Sequence, residues 1–307
     1  MKKNLLLLLL FTLSILGYTA AQKKKPNIIL ILADDLGYGD VGFNGQKLIK
    51  TPNIDRLAKE GMIFSQFYAG TAVCAPSRSA LLSGKHTGHT SIRDNLGVKP
   101  EGQYPIADSV LTIAEILKNA GYKTGAFGKW GLGPVGPEGD PNRQGFDRFY
   151  GYNCQSLAHR YYPSHLWDNH EKVVLKQNGD LEHTVDYAPD LIQQQALDFI
   201  GRHKEEPFFL FLPHILPHAE LLVPDDSLFQ YYKGRFAEPP FKGFDYKKGS
   251  EKPTGYVSQK YPKATFAAMV ARLGLYVGQV MQKIRESALQ ENTLVIFTSD
   301  NGPHMEG

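Results

Sequence analysis

The sequence predicts an α/β domain around a mostly parallel sheet, and three observations support that class. Continuous apolar runs at 27–32 and 207–212 are typical of strands that are buried on both faces of a parallel sheet. Segments with apolar residues at helical spacing alternate with such runs along the chain. The 30 Gly and 19 Pro among 307 residues favour many turns over a helical bundle. A chain of this length can bury a large core.

The first half of the chain is predicted to contain three strands and two helices. The strands are expected at 27–32, at 62–68, where apolar and polar residues alternate, and at 123–130. One short helix opens at Thr51-Pro52-Asn53, and a second covers 109–120 and ends before Gly121.

The second half begins with a polar, aromatic stretch at 152–170, which we expect to be a loop or a substrate-facing insertion. Its aromatic side chains either shape a sugar-binding surface or belong to the core. The remaining predicted elements are a helix at 185–203, a strand at 207–212, a surface excursion at 224–262, an amphipathic helix at 264–289 and a strand at 293–298.

The N-terminus has the pattern of a cleaved signal peptide at 1–21. Lys2 and Lys3 precede an apolar run at 5–16, and small residues follow at Thr19 and Ala21. The alternative is an uncleaved anchor. We predict an exported protein, periplasmic or secreted, with one mature domain at 22–307. No later segment is expected to have the apolar length of a membrane-spanning helix, so no stable membrane insertion is predicted after cleavage.

The net charge and the number of cysteines limit which other partners and bonds the chain is expected to have. A net charge of +3 without a concentrated basic face argues against a nucleic-acid partner. The only two cysteines are Cys74 and Cys154. A disulfide between them is one possibility for an exported protein, but the neighbours of Cys74 favour a different fate.

Two acidic clusters follow predicted strands. Asp34 and Asp35 come after the first strand, and Asp300 and Asn301 come after the last. Either cluster alone could consist of turn or cap residues. Because the carboxyl ends of parallel strands meet at one edge of a sheet, the two clusters together predict a site with oxygen ligands only. Such a site suits Ca²⁺ or Mg²⁺.

Two motifs carry a resemblance to a known family. Cys74-Ala75-Pro76-Ser77-Arg78, followed by Leu82-Ser83-Gly84, resembles the signature of the formylglycine-dependent sulfatases. The segment 121–130, which ends in Gly128-Lys129-Trp130, resembles the second signature of that family. The resemblance covers nearly the whole mature chain. It implies an alkaline-phosphatase-like α/β sandwich, with a smaller C-terminal subdomain expected after the residues present here.

The resemblance also implies roles for individual residues. A maturation enzyme would oxidise Cys74 to formylglycine, whose hydrated form attacks the sulfate ester beside the metal. Asp34, Asp35, Asp300, Asn301 and the modified Cys74 would bind Ca²⁺, with Mg²⁺ possible. Arg78 and Lys129 would hold the sulfate and the nucleophile by charge-assisted hydrogen bonds. Pro76 and Ser77 suit a helix start, which favours anionic oxygens.

Histidines carry the remaining roles. His218, in Pro217-His218-Ala219, is expected to donate a proton to the departing alcohol, and His214 is its rival. The family commonly has His where this chain has Gly131. Either another group such as His86 or His89 takes its place, or the chain manages without it, or the enzyme is impaired.

The predicted function is hydrolysis of sulfate esters, with sulfated carbohydrates as the expected substrate. A phosphodiester or phosphonate hydrolase of the same superfamily is one alternative. A non-catalytic carbohydrate-binding relative is another. Arg93, Asp94 and Asn95 follow the nucleophile motif closely enough to be further pocket residues.

Overall fold

The computed structural model describes residues 24–246 and 255–304, and within them helices cover both faces of a seven-stranded sheet. The predicted signal peptide at 1–21 lies outside these residues. The strands are β1 (Asn27–Asp34), β2 (Lys123–Lys129), β3 (Arg148–Tyr152), β4 (His165–Asp168), β5 (Glu171–Val174), β6 (Asn178–Asp180), β7 (His183–Thr184), β8 (Phe208–Pro217) and β9 (Thr293–Ser299). The helices are α1 (Pro52–Glu60), α2 (Cys74–Ser83), α3 (Ile113–Asn119), α4 (Gln155–Ala158), α5 (Ala188–Arg202), α6 (Ser227–Tyr232) and α7 (Pro262–Glu286).

The sheet is mixed but mostly parallel. Its strand order is β5-β4-β3-β2-β8-β1-β9, and β6 and β7 form a separate small hairpin. The five strands from β3 to β9 in this order are parallel, whereas β4 and β5 add an antiparallel edge. The predicted fold class is confirmed.

The two faces of the sheet bury separate cores. Along β1, Ile29 and Ile31 point into one core, whereas Leu30 and Leu32 point into the other. Residues of α5 and α7 pack in the first core, and residues of α2 and α3 pack in the second. This double burial explains why β1 reads as a continuous apolar run.

The predicted strand at 62–68 is wrong. The described backbone there is irregular, and Met62, Phe64 and Tyr68 are more than two-thirds exposed. Ile63 and Phe67, on the alternate positions, are more than half exposed as well. Alternation predicts a strand only where a neighbouring strand pairs with it, and the described residues provide none for this segment.

Two further expectations for the second half need correction. The region 224–262 is not wholly a surface excursion, because α6 lies within it and buries Phe229 and Tyr232. Helix α7 is long and apolar enough to cross a membrane by length and composition, contrary to the prediction that no later segment has this apolar length. However, 78% of its most apolar stretch is buried inside the protein, as in the core helix of a folded domain.

Candidate active site at the carboxyl edge of the sheet

The strand ends bring charged side chains together at one edge of the sheet. Asp34 is the last residue of β1, Lys129 is the last residue of β2, and Asp300 directly follows β9. Cys74 opens α2, and Arg78, one turn later, contacts Asp34, Lys129 and Asp300. All five side chains are nearly or completely buried.

Arg78 is the centre of a buried network of ions. Its Nε and Nη2 donate to Oδ2 of Asp300 at 3.0 and 2.8 Å, and its Nη1 donates to the carbonyl oxygen of Lys129 at 2.6 Å. Nη2 also lies 3.2 Å from Oδ1 of Asp34. The other oxygen of Asp34 accepts from Nζ of Lys129 at 2.7 Å. Two cations are therefore shared between two carboxylates away from water.

The pKa values of the two carboxyl groups move in opposite directions. Burial alone would raise the pKa of Asp34, but the charges of Lys129 and Arg78 hold it well below its usual value. Burial and the charge of Asp34 raise the pKa of Asp300 to about 7, and Arg78 only partly opposes this. Asp34 is thus better compensated by neighbouring positive charge than Asp300 is.

Cys74 lies at the N-terminus of α2 with its side chain nearly buried. No side chain of the preceding residue caps this helix, and instead Oδ1 of Asn95 accepts from the backbone N–H of Ala75 at 2.9 Å. Burial raises the pKa of the Cys74 thiol to about 12, so the unmodified thiol is protonated and a poor nucleophile at neutral pH.

A group of potential metal ligands surrounds Cys74. One ligand atom each from Asp34, Asp35, Cys74 and His218 lies within 4.8 Å of the others. His218 was expected to transfer a proton and was not expected in this group. Asp35 has a positive φ of 61°, which is uncommon outside glycine and turns this residue sharply away from the strand.

The second acidic cluster contacts this group through Asp35. Oδ1 of Asp300 accepts from the backbone N–H of Asp35 at 3.3 Å, while its Oδ2 is engaged by Arg78. Nδ2 of Asn301 donates to Oδ1 of Asp35, and its own Oδ1 is buried with no hydrogen-bond partner among the described residues. An unpartnered amide oxygen beside carboxylates is the donor chemistry that a hard cation requires.

His218 directly follows β8. Its Nε2 lies 3.4 Å from Oδ2 of Asp35, and its carbonyl oxygen accepts from the hydroxyl of Tyr161 at 2.7 Å. The ring of His159 stacks on the His218 ring with 4.8 Å between the centroids. Burial and the nearby charges of His218 and Lys129 lower the pKa of His159 to about 2, so this imidazole is neutral.

The other candidates lie elsewhere or have structural partners. His214 lies inside β8, where its buried ring stacks on Tyr276 at 5.2 Å. His86 and His89 are largely exposed around a short 3₁₀ turn, and neither belongs to the group around Cys74. Arg93 donates to backbone carbonyl groups of that turn.

The two cysteines are both free, so the alternative of a disulfide between Cys74 and Cys154 is not realised. Most aromatic residues of the segment 152–170 are core residues, because Tyr152, Tyr161 and Tyr162 are at most 8% exposed. They do not form an aromatic sugar-binding surface. His159 was not predicted, because nothing in its local pattern distinguishes it from the other histidines of this segment.

The family model described as Sulfatase matches residues 26–307, nearly all of the described chain. The chain belongs to the sulfatase family. The fold described above is therefore that of the sulfatase relatives. The two signature motifs lie at the site described in this section.

Two curated relatives and one solved structure illustrate this membership. Over 96% of its length, this sulfatase chain is 32% identical to mouse N-acetylgalactosamine-6-sulfatase, and over 92% it is 34% identical to human arylsulfatase A. It spans about half the length of these relatives, 54% and 53%. The crystal structure of Ps i-CgsB in complex with k-i-k-neocarrahexaose superposes with a TM-score of 0.73 at 30% identity, covering 92% of this chain and 60% of that one.

Proposed function

We propose that this chain carries the catalytic site of an exported sulfatase that hydrolyses sulfate esters of carbohydrates. The observation that carries the proposal is the buried network at the N-terminus of α2, where Arg78 and Lys129 meet two carboxylates beside Cys74. Two fixed cations in a dry site can bind the singly charged sulfate group of an ester far more strongly than the same groups in water.

Each side chain has a defined task in this proposal. Arg78 presents a planar guanidinium that binds oxyanions with directed hydrogen bonds, and Lys129 supplies a compact positive charge. His218 donates a proton to the alcohol oxygen as the sulfur–oxygen bond of the ester breaks. The overall reaction consumes one water and releases the alcohol and inorganic sulfate.

A divalent cation and a formylglycine at position 74 both fit the residues that surround Cys74. A divalent cation would be held by Asp34, Asp35, Asp300 and Asn301. Only Asp34 and Asp300 are paired with Arg78 and Lys129, and the buried amide oxygen of Asn301 lacks a partner among the described residues. A formylglycine made from Cys74 would supply, as its hydrate, an oxygen nucleophile that the protonated thiol cannot provide. Asp35 and Asn301 would contribute oxygen ligands to that cation.

The substrate class and the location are part of the same proposal. Relatives are named for sugar sulfates or were solved with an oligosaccharide, which supports a carbohydrate substrate. The signal-peptide pattern supports export to the periplasm or the medium. The maturation enzyme would act on Cys74 before folding buries it.

Mass spectrometry and paired assays test the proposal. We expect the Cys74 peptide of full-length protein from its native host to be about 18 Da lighter than the unmodified peptide, because an aldehyde replaces the thiol. The same preparation should hydrolyse 4-nitrophenyl sulfate at least about 100-fold faster than a matched aryl phosphodiester.

Three results would contradict the proposal. An unmodified thiol in native-host protein would remove the nucleophile. Faster turnover of the phosphodiester would favour the phosphodiesterase alternative. Binding of sulfated sugars without turnover of any sulfate ester would favour the non-catalytic relative.

Calcium should stabilise the protein through the acidic clusters. At about 100 times its dissociation constant, Ca²⁺ should raise the free energy of unfolding by about 2.7 kcal/mol, because it binds only the folded state. Denaturant unfolding of full-length protein with and without Ca²⁺ measures this increment, and repeating it with Mg²⁺ compares the two ions.

The substitution Asn301→Ala should remove most of the calcium increment. A matched control is Asn178→Ala, which removes another buried asparagine, in β6, and should lower stability without changing the increment. Equal increments in both variants would show that calcium binds elsewhere.

A further inference from the structure

Three consecutive residues contact the chain around His218. The ring of His159 stacks on the His218 ring, and Arg160 forms a buried ion pair with Glu220. Tyr161 contacts the backbone of His218. The ring and the backbone of His218 are thus both held by one short segment, which directly follows α4.

The hydroxyl of Tyr161 joins the two ends of a turn at the end of β8. It donates to the carbonyl oxygen of Ile215 at 2.9 Å and to that of His218 at 2.7 Å. The backbone N–H of His218 also donates to the carbonyl oxygen of Ile215, at 2.9 Å, and closes the turn. Because one hydroxyl proton is shared between two carbonyl oxygens, the phenol fixes the position of both ends of the turn.

The Tyr161 ring is itself held in place by the core. It is completely buried, and it stacks on the ring of Tyr187 with 5.7 Å between the centroids. Interiors packed as densely as this leave a buried ring little freedom to shift its hydroxyl. The backbone of His218 is therefore anchored to the core of the domain through Tyr161.

The His218 ring has one nitrogen held by the backbone and the other directed toward the site. Nδ1 donates to the carbonyl oxygen of Ala219, because a carbonyl oxygen can only accept. Nε2 lies 3.4 Å from Oδ2 of Asp35, in the group around Cys74. Nε2 is therefore the atom that can pass a proton to a departing alcohol, and its place depends on the backbone of His218.

We propose that Tyr161 is a positioning residue that holds Nε2 of His218 where it protonates the departing alcohol. The inference rests on the proposed function. In that reaction the electron pair of the broken sulfur–oxygen bond goes to the alcohol oxygen, and His218 supplies the proton that this oxygen takes up. Tyr161 acts only through the backbone of His218. A displacement of about 1 Å at a reacting group can cost about 100-fold in rate.

Sulfate esters with leaving groups of different basicity test this role. The probes are 4-nitrophenyl, 4-chlorophenyl, phenyl and 4-methylphenyl sulfate. A proton donor matters little for the weakly basic 4-nitrophenolate and increasingly for the more basic phenolates. For full-length protein we expect Tyr161→Phe to lower kcat/KM by at most about threefold on 4-nitrophenyl sulfate and by about 30-fold on phenyl sulfate. The slope of log kcat/KM against the pKa of the leaving phenol should become steeper.

Two further variants separate positioning from a general loss of structure. His218→Ala should steepen the slope at least as much, and the double variant should lose no more on phenyl sulfate than His218→Ala alone. The matched control is Tyr232→Phe, which removes a buried hydroxyl that accepts from the backbone N–H of Lys50 and should leave the slope unchanged. A variant that is only partly folded loses activity on all four esters equally, so partial unfolding does not change the slope.

A uniform loss on all four esters, or no loss on any, would overturn the positioning role. Additive losses in the double variant would overturn it as well, because Tyr161 would then act independently of His218. Both results leave the proposed function standing, since the wild type still hydrolyses the esters. A wild type that hydrolyses none of the four would contradict the proposed function itself, and the role of Tyr161 with it.

Discussion

Replacing Cys74 with alanine should lower kcat on 4-nitrophenyl sulfate by at least about 10⁴-fold, because the variant has no side chain that can become the nucleophile. The metal ligands and Arg78 would remain, so some binding of the ester should persist. Steady-state kinetics of full-length protein from a host that carries out the cysteine oxidation measures the loss. Binding of inorganic sulfate, measured by calorimetry, should persist in the variant.

The chain provides a matched control for this experiment. Cys154 is also buried and free, and its sulfur contacts the hydroxyl of Ser156 at 3.3 Å. Cys154→Ala removes the same number of atoms and should keep kcat within about threefold while costing about 1–2 kcal/mol of stability. A Cys74→Ala variant that retains more than about a tenth of the activity would exclude Cys74 as the nucleophile.

The buried strands could be predicted from the sequence because each is apolar on both faces. The apolar runs that form β1 and β8 fit few structures other than a strand buried on both faces. The edge strands β4 and β5 were missed, since an antiparallel edge that is half exposed shows polar and aromatic residues without a clear period. The strand prediction for 62–68 was wrong for the opposite reason. The segment alternates apolar and polar residues as a strand does, but it has no partner strand among the described residues.

The site was predictable where a motif fixes the spacing and unpredictable where only tertiary contacts matter. Cys74, Arg78 and Lys129 follow from two signatures, and the structure brings them together as expected. Nothing in the local sequence indicates that His159 would stack on His218. At Gly131 the expected replacements were His86 or His89, whereas the residue whose amide lies next to Gly131 is Gln155, which the sequence could not identify.

Arg78→Gln should lower the free energy of unfolding by about 3–5 kcal/mol. The substitution leaves two buried carboxylates with one cation fewer. Arg78 is completely buried and is bound to Asp300, to Asp34 and to the carbonyl oxygen of Lys129. Denaturant unfolding at neutral pH without added metal measures the loss. Activity should fall as well, since Arg78 is proposed to bind the sulfate.

A double variant distinguishes charge imbalance from lost packing. Adding Asp300→Asn to Arg78→Gln removes one of the two carboxylates, so it should restore about 1–3 kcal/mol of the lost stability if repulsion dominates. The surface control is Arg148→Gln, whose partner Asp168 is partly exposed, and it should cost at most about 1 kcal/mol. If Arg78→Gln costs no more than this control, Arg78 does not hold the site together, and the sulfate-binding role assigned to it loses its physical basis.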